Sequence, residues 1–373
     1  MTQLTDRPRV ELVVGPTPLH RAPRLSAGLG VPVLLKRDDL TGLGLGGNKV
    51  RGLEYLIADA LAQGCDCLVT GAGPQSNWTM LAALCCLRYG IEPHVVCYGT
   101  APDQAAMPEG NLRLHRWLGV DVRFTGDPDR ASVDAGIEAV TAELAAAGRQ
   151  PYPVPRGGAT PLGALGYVRA SVELAGQLAQ LGAEPAAVWL ATGSGGTQAG
   201  LLAGVALTGA SYQVQGVTVS RPAAECRDRV RELATGAAGL AGLGTAPPEH
   251  GSTPTGPGSA LPGPSFTLPE PAVLGGWLGP GYGVPSTAGQ AAARLVAAAE
   301  GVFLDPVFGA KAMAALISEC RAGRARGTQV FLVTGGAPTL FAGPVKDGDA
   351  RGDGDARGGG DARGGGDAGG DQG

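Results

Sequence analysis

Three times along this chain a short apolar run passes through a glycine-rich loop straight into a stretch with helical periodicity. Few folds are open to a chain built that way. The β-rich runs are Val31-Pro-Val-Leu-Leu-Lys, Cys67-Leu-Val-Thr, His94-Val-Val-Cys-Tyr, Ala187-Val-Trp-Leu-Ala, Val214-Gln-Gly-Val-Thr-Val and Val330-Phe-Leu-Val-Thr. Helical stretches lie between them; Val50, Leu53, Leu56, Ile57, Ala60 and Leu61 keep the i, i+3, i+4 spacing of an amphipathic helix. Such alternation predicts an α/β fold with parallel sheets flanked by helices. Ligands in such sheets sit beyond the carboxyl ends of the strands.

Composition narrows the function. Apolar residues are 44% of the 373, enough for a large core in one or two domains. Charged residues are 17% and the net charge is -4, so no basic surface is expected for nucleic acid. No run approaches the ~18 apolar residues of a membrane span. Met1-Thr-Gln-Leu-Thr-Asp-Arg lacks the apolar core of a secretory signal, and a cytoplasmic protein is expected. The seven cysteines form no C-x-x-C pair and the four histidines are scattered, which argues against both zinc and a disulfide framework. Two segments read as soft: a Pro/Gly-rich loop over about 235–271, and a Gly/Asp/Arg tail from about Gly343 that is expected to be disordered.

The first junction is Leu190-Ala-Thr-Gly-Ser-Gly-Gly-Thr-Gln. Gly193, Ser194, Gly195, Gly196 and Thr197 let backbone N–H groups close round an anion at a helix start, and a phosphate is the natural ligand. Gln198 stands where a dinucleotide fingerprint needs its third glycine, and no Gly-Lys-Ser/Thr follows. The same glycines could serve only to start a helix. The second junction, Thr70-Gly-Ala-Gly-Pro-Gln-Ser-Asn-Trp-Thr, offers Ser76 either to a carboxylate or merely as the cap of its helix. The third, Thr41-Gly-Leu-Gly-Leu-Gly-Gly-Asn-Lys, fits G-x-G-x-x-G, but the strand after it has no acidic residue for a ribose. It instead places Lys49 in the first helical turn, where the dipole and desolvation lower an amine's pKa and ready it as a nucleophile.

Only four lysines occur, Lys36, Lys49, Lys311 and Lys346. Lys346 lies in the tail, Lys36 reads as an ion pair beside Arg37 and Asp38, and Lys311 reads as a solvated or phosphate-near charge. A phosphate site, a carboxylate site and one privileged lysine together suggest pyridoxal phosphate.

The segments Lys36-Arg-Asp-Asp-Leu-Thr-Gly-Leu-Gly-Leu-Gly-Gly-Asn-Lys-Val-Arg, Gln75-Ser-Asn, Gly110-Asn-Leu-Arg-Leu, Gly163-Ala-Leu-Gly-Tyr, Thr192-Gly-Ser-Gly-Gly-Thr, Gly281-Tyr-Gly, Leu304-Asp-Pro-Val-Phe and Thr334-Gly-Gly-Ala-Pro carry a resemblance. The chain resembles the 1-aminocyclopropane-1-carboxylate deaminase and D-cysteine desulfhydrase family of fold-type-II pyridoxal-phosphate enzymes. That resemblance implies a two-domain, tryptophan-synthase-β-like architecture: a large cofactor domain from 1–51 and 158–342, a small domain at 52–157, and the tail at 343–373. It implies that Lys49 holds the cofactor as a Schiff base and moves protons, and that Asn77 meets the pyridine hydroxyl. Ser76 would meet the substrate carboxylate or act as a base. The backbone of Gly193 to Thr197 would bind phosphate, Thr334 would face the pyridine nitrogen, and Tyr282 would stand beside the reacting carbons. Ser76, Asn77, Trp78, Thr79, Tyr282 and Phe308 would line the substrate. A homodimer is implied, acting on a small amino acid with no metal.

Two residues depart from the family pattern. Trp78 stands where histidine or glutamine is usual, and Phe308 where a tyrosine is usual. Both remove polar groups from the substrate side, so poor turnover of the two standard substrates and a taste for larger or apolar side chains are expected. The leading reading is a lyase or deaminase eliminating a β- or γ-leaving group. A β-replacement synthase or racemase, or a cofactor-binding protein without turnover, are the alternatives.

Overall fold

The computed structural model describes residues 7–103, 108–243 and 267–342. Most of the expected soft loop, the tail and Lys346 lie outside the described residues.

The elements follow one another as β1 (Leu19–Arg21), α1 (Pro23–Leu29), β2 (Val33–Arg37), α2 (Lys49–Ala62), β3 (Cys67–Ala72), α3 (Asn77–Arg88), β4 (Glu92–Cys97), α4 (Gly110–Leu118), β5 (Asp121–Phe124), α5 (Ser132–Ala146) and β6 (Pro151–Pro153). Then come α6 (Pro161–Leu181), β7 (Pro185–Thr192), α7 (Gly196–Thr208), β8 (Gln213–Thr218), α8 (Ala223–Leu240), β9 (Ala272–Leu274), α9 (Thr287–Glu300), α10 (Gly309–Arg321) and β10 (Thr328–Val333). They build two sheets, in the orders β1-β2-β10-β7-β8-β9 and β5-β4-β3-β6. Every pairing is parallel except β1 with β2, which is antiparallel. The three-residue edge strand β1 is too short to show as a run in the sequence. The expected loop starts later than 235, because α8 runs on to Leu240 and buries Ala237 and Ala238. Its glycines are no obstacle, since their alanine neighbours supply the packed face.

Both sheets are covered on both sides, as parallel sheets must be. Side chains alternate along each strand. In β10, Phe331 and Val333 face Leu25 of α1, Val296 of α9 and Met313 and Ile317 of α10. Val330 and Leu332 face Tyr167 and Leu174 of α6, Leu201 of α7 and Val230 of α8. In β3, Leu68 packs on α2 and α3, while Cys67 and Val69 pack on Val133, Ile137 and Val140 of α5. A fully buried aliphatic side chain contributes about 1.5–3 kcal/mol, so these layers dominate stability. Six cysteines are buried and Cys65 is half-buried; all seven are free thiols. Burial pushes Cys86 and Cys97 up to about 12, so they pack as apolar groups.

Helix α2 joins the two halves. Val50, Leu53, Leu56, Ile57 and Ala60 pack with the four-stranded sheet, while Tyr55 packs with Leu165 and Val168 of α6. The crossing with α6 is close because glycines form it. A Cβ on Gly52 would lie 2.8 Å from the Gly163 carbonyl oxygen, and one on Gly166 would run into the Arg51 carbonyl. Below it lies a buried polar cluster. Arg51 donates to both oxygens of Asp38 at 2.7 and 2.8 Å and to Glu173 at 3.0 and 3.1 Å. Tyr167 and Thr17 complete the shell of Asp38. Burial alone would raise the Asp38 pKa, but the Arg51 guanidinium holds it below the usual carboxylate range. Lys36 is paired as expected of its surroundings but with a different partner: it binds Glu173, Gln177 and the Thr17 carbonyl. Asp38, in the turn after β2, is already held by Arg51.

Candidate active site

Loops at the carboxyl ends of β3, β7 and β10 wall a cavity of about 350 Å³ between the two sheets. Lys49, Ser76, Asn77, Trp78, Gly193, Ser194, Gly195, Thr197, Tyr282, Phe308 and Thr334 all reach its lining. Two expected residues do not. Gly196 opens α7 behind the lining. Thr79 turns to the opposite side of α3, bonding the Ser76 carbonyl and the His115 ring at 3.2 Å. A helix puts successive side chains about 100° apart, so only part of Ser76-Asn77-Trp78-Thr79 faces one cavity.

Lys49 is the first residue of α2. Asn48 seats it: the Asn48 backbone N–H donates to the Thr334 carbonyl at 3.0 Å, and its amide donates to Thr197 Oγ1 at 2.9 Å. That asparagine ties α2, β10 and α7 together, and sequence reasoning missed its role; its fixed place between Gly47 and Lys49 was the available signal. The approach of the two loops is tight, since a Cβ on Gly335 would sit 2.7 Å from Gly47 Cα. The ammonium has no carboxylate partner among the described residues, only Ser194 Oγ at 3.5 Å. Burial lowers its pKa to about 8.

The other lysines are committed elsewhere. Lys311 is not solvated: it is wholly buried, and its Nζ donates to the carbonyls of Leu278 at 2.7 Å and Gly281 at 3.1 Å. A lysine in the first turn of α10 has a long enough stem to reach the loop that presents Tyr282. Burial lowers its pKa, and nearby Asp305 opposes that shift.

At the end of β7 the chain turns through Gly195, whose φ of 97° suits glycine, into α7. The first N–H groups of a helix have no intrahelical acceptor. Among the described residues, no backbone carbonyl outside the helix accepts from the N–H of Gly193, Ser194, Gly195 or Gly196. Free N–H groups at a helix start, together with the helix dipole, suit an anion. Gln198, the residue that spoils the dinucleotide pattern, is buried; it accepts from Thr192 and donates to Val214 and Ala272, locking β7, β8 and β9.

Ser76 is the N-cap of α3, its Oγ accepting from the N–H groups of Trp78 at 3.2 Å and Thr79 at 3.4 Å. Capping and lining coincide in one hydroxyl. Asn77 Oδ1 accepts from Asn111 at 2.8 Å, which turns its amide nitrogen towards Gly336. Trp78 lines the cavity only with part of its ring: it is 3% exposed, and its Nε1 donates to Thr70 at 2.9 Å. The indole lies on Gly158, where a Cβ would meet Cε3 at 2.5 Å. Phe308 meets Tyr282 edge to face at 5.9 Å between centroids. Burial raises the Tyr282 pKa. Asp305, buried in the wall, has both oxygens taken by the N–H groups of Val307, Phe308 and Gly309. Burial still raises it to about 6.

Residues 10–335 match the family model described as "Pyridoxal-phosphate dependent enzyme". The D-cysteine desulfhydrase of Salmonella choleraesuis strain SC-B67 is 37% identical, over 91% of this chain and 97% of its own length. The crystal structure of an ACC deaminase homologue superposes with a TM-score of 0.80 at 32% identity, over 91% of this chain and 95% of that one. The processed form of threonine deaminase isoform 2 from Solanum lycopersicum shares the fold, with a TM-score of 0.62 at 18% identity, over 90% of this chain and 83% of that one.

Proposed function

From the premise that this chain belongs to the pyridoxal-phosphate dependent enzyme family, we propose that it is a lyase acting on a small amino acid. It takes the α-proton, a β- or γ-leaving group departs with its bonding electrons, and hydrolysis of the unsaturated amine yields a keto acid and ammonium.

The residues fit the cofactor. A phosphate monoester suits the cradle of residues 193–197, because its donors are backbone N–H groups at a helix start without acceptors among the described residues. An aldehyde suits Lys49, whose amine is lowered to about 8 by burial. When bound, the cofactor supplies an electron sink for the carbanion at the substrate's α-carbon. This chain's own groups do the rest. Lys49 Nζ would hold the aldehyde carbon and would carry the α-proton. Asn77, oriented by Asn111, offers its amide N–H to the ring hydroxyl. Thr334, in the cavity lining, would face the ring nitrogen as an uncharged partner. Ser76 receives the substrate carboxylate at the N-terminus of α3. Tyr282 would stand beside the reacting carbons, its raised pKa keeping the phenol protonated and able to give a proton to the leaving group. In this reading the enzyme is a cytoplasmic homodimer, with 52–157 as a small domain beside a cofactor domain of 1–51 and 158–342.

The observation that carries the proposal is Lys49: a desolvated amine without a carboxylate partner among the described residues, opposite an open ring of N–H donors. The purified enzyme, given D- and L-amino acids and 1-aminocyclopropane-1-carboxylate, should release keto acid and ammonium in equal amounts from at least one. Inversion of configuration without keto acid would identify a racemase. Product formation only in the presence of a second nucleophile would identify a synthase. Retained cofactor with no turnover of any amino acid would leave a binding protein.

A further inference from the structure

The cavity holds cations to which the reading above gives no role. Besides Lys49 it is lined by Arg130, Arg156 and Arg221, against the carboxylates Asp305 and Glu225. The bonds of Asp305 run to backbone N–H groups, as described above. Arg156 is matched by Asp134 at 3.0 Å. No ion pair among the described residues involves Arg130, Arg221 or Glu225.

These two arginines are held in place. Arg130 follows a loop tied by its own aspartates, with Asp127 accepting from the Asp129 N–H and Asp129 from the Ala131 N–H. Its guanidinium lies 4.4 Å from the centroid of the Tyr282 ring, and one N–H donates to the Ser220 carbonyl at 3.2 Å. Ser220 Oγ in turn donates to the Gly193 carbonyl at 3.0 Å. The backbone of Arg221 is held by Thr218 Oγ1 at 2.7 Å. A guanidinium has five N–H donors, and with one of them on Ser220 Arg130 keeps others for the cavity. Half-buried cations without counter-ions are costly unless a ligand brings the anion. Arg130, Arg156 and Arg221 are all close enough to act on the Tyr282 phenol, so the charge surrounds the place where a side chain would react.

We infer that Arg130 and Arg221 form a subsite for an oxoanion on the substrate's side chain, so that the enzyme takes an amino acid with an acidic side chain, a carboxylate or a sulfonate. This rests on the amino-acid lyase reading above and replaces the expected taste for apolar side chains. Phe308 removes a phenol but leaves Tyr282 between an aromatic edge and a guanidinium.

The test is a titration of the holoenzyme with both enantiomers of aspartate, cysteate and asparagine, following the cofactor's visible absorption. Aspartate and asparagine have nearly one shape, so their ratio isolates the charge. At least one acidic compound should bind about tenfold or more tightly than asparagine, the usual strength of a charge-assisted contact. Preference for aspartate or for cysteate tells carboxylate from sulfonate. Arg130→Met and Arg221→Met should each bring the ratio towards one while asparagine binds as before, and Arg130→Lys should restore part of it. Asparagine binding as tightly as both acids in the wild type overturns the inference without any variant. So does loss of bound cofactor on gel filtration of folded variants, which would assign the arginines to the cofactor's phosphate. If neutral amino acids are turned over and acidic ones are not preferred, only the subsite falls. If no amino acid changes the absorption or is turned over, the lyase reading falls with it.

Discussion

Lys49 shows how a single residue acquires its chemistry from where its backbone lies. The glycines before it allow the close approach to Thr334 and Gly335, Asn48 pins the turn, and burial then lowers the amine to about 8. A free lysine has a pKa of about 10.4. The neutral amine is the form that reacts with an aldehyde, so depression enlarges the reactive fraction at neutral pH. In the apoenzyme, the rate of reconstitution with pyridoxal phosphate should rise about tenfold per pH unit below 8 and flatten above it. Borohydride reduction and peptide mapping should place the label on Lys49. A midpoint near 10, or label on Lys36 or Lys311, would mean that the cavity does not activate this amine. Trp78 teaches the converse lesson. Its place in the motif suggested contact with substrate, but its Nε1 found a partner in Thr70, and a buried indole N–H strongly favours a partner.

Among the elements, α2 decides most about the site. It carries Lys49 at its first residue and Arg51 two positions on, so whatever holds the helix also aims the amine. Its seat on α6 depends on glycines in the Gly163-Ala-Leu-Gly-Tyr segment, which puts the reason for that motif in helix packing rather than in chemistry. Gly166→Ala would drive a methyl group into the Arg51 carbonyl. Overpacking of this kind costs about 1–3 kcal/mol. Denaturant unfolding should show that loss, and the separation of α2 from α6 should lower cofactor retention as well. A variant with unchanged stability and full cofactor content would show that the crossing can relax. Asp38 and Arg51 lie at the same crossing, and Tyr167 reaches them from that same glycine motif.

Across the whole molecule, the last described strand is one of the two central strands of the larger sheet. β10 lies between β2 and β7, so the larger sheet closes only when residues near 330 return to residues near 35. Among the described residues, every hydrophobic cluster and the whole cavity lining belong to 12–335. Removal of residues 343–373 is therefore expected to shift the melting temperature by less than about 2 °C and to leave cofactor content unchanged. A fall of several degrees on calorimetry would show that the tail contributes to the folded unit.

What could be read from the sequence alone was local. The strand–loop–helix junctions, the helical face of Val50, Leu53, Leu56 and Ile57, the cap at Ser76 and the standing of Lys49 are each written within a dozen neighbouring residues. Backbone propensity and dipoles act over that range. Such signals brought the fold class and most of the cavity lining into view. The tertiary structure decided which distant groups meet. Lys36 takes Glu173 instead of a neighbour, Lys311 reaches the loop before Tyr282, and Trp78 rests on Gly158. Arg130 and Arg221 converge on one cavity with no motif to announce them. Ion pairs and packed rings depend on strand order and helix crossings, and in a parallel sheet neighbouring strands come from far apart in the chain.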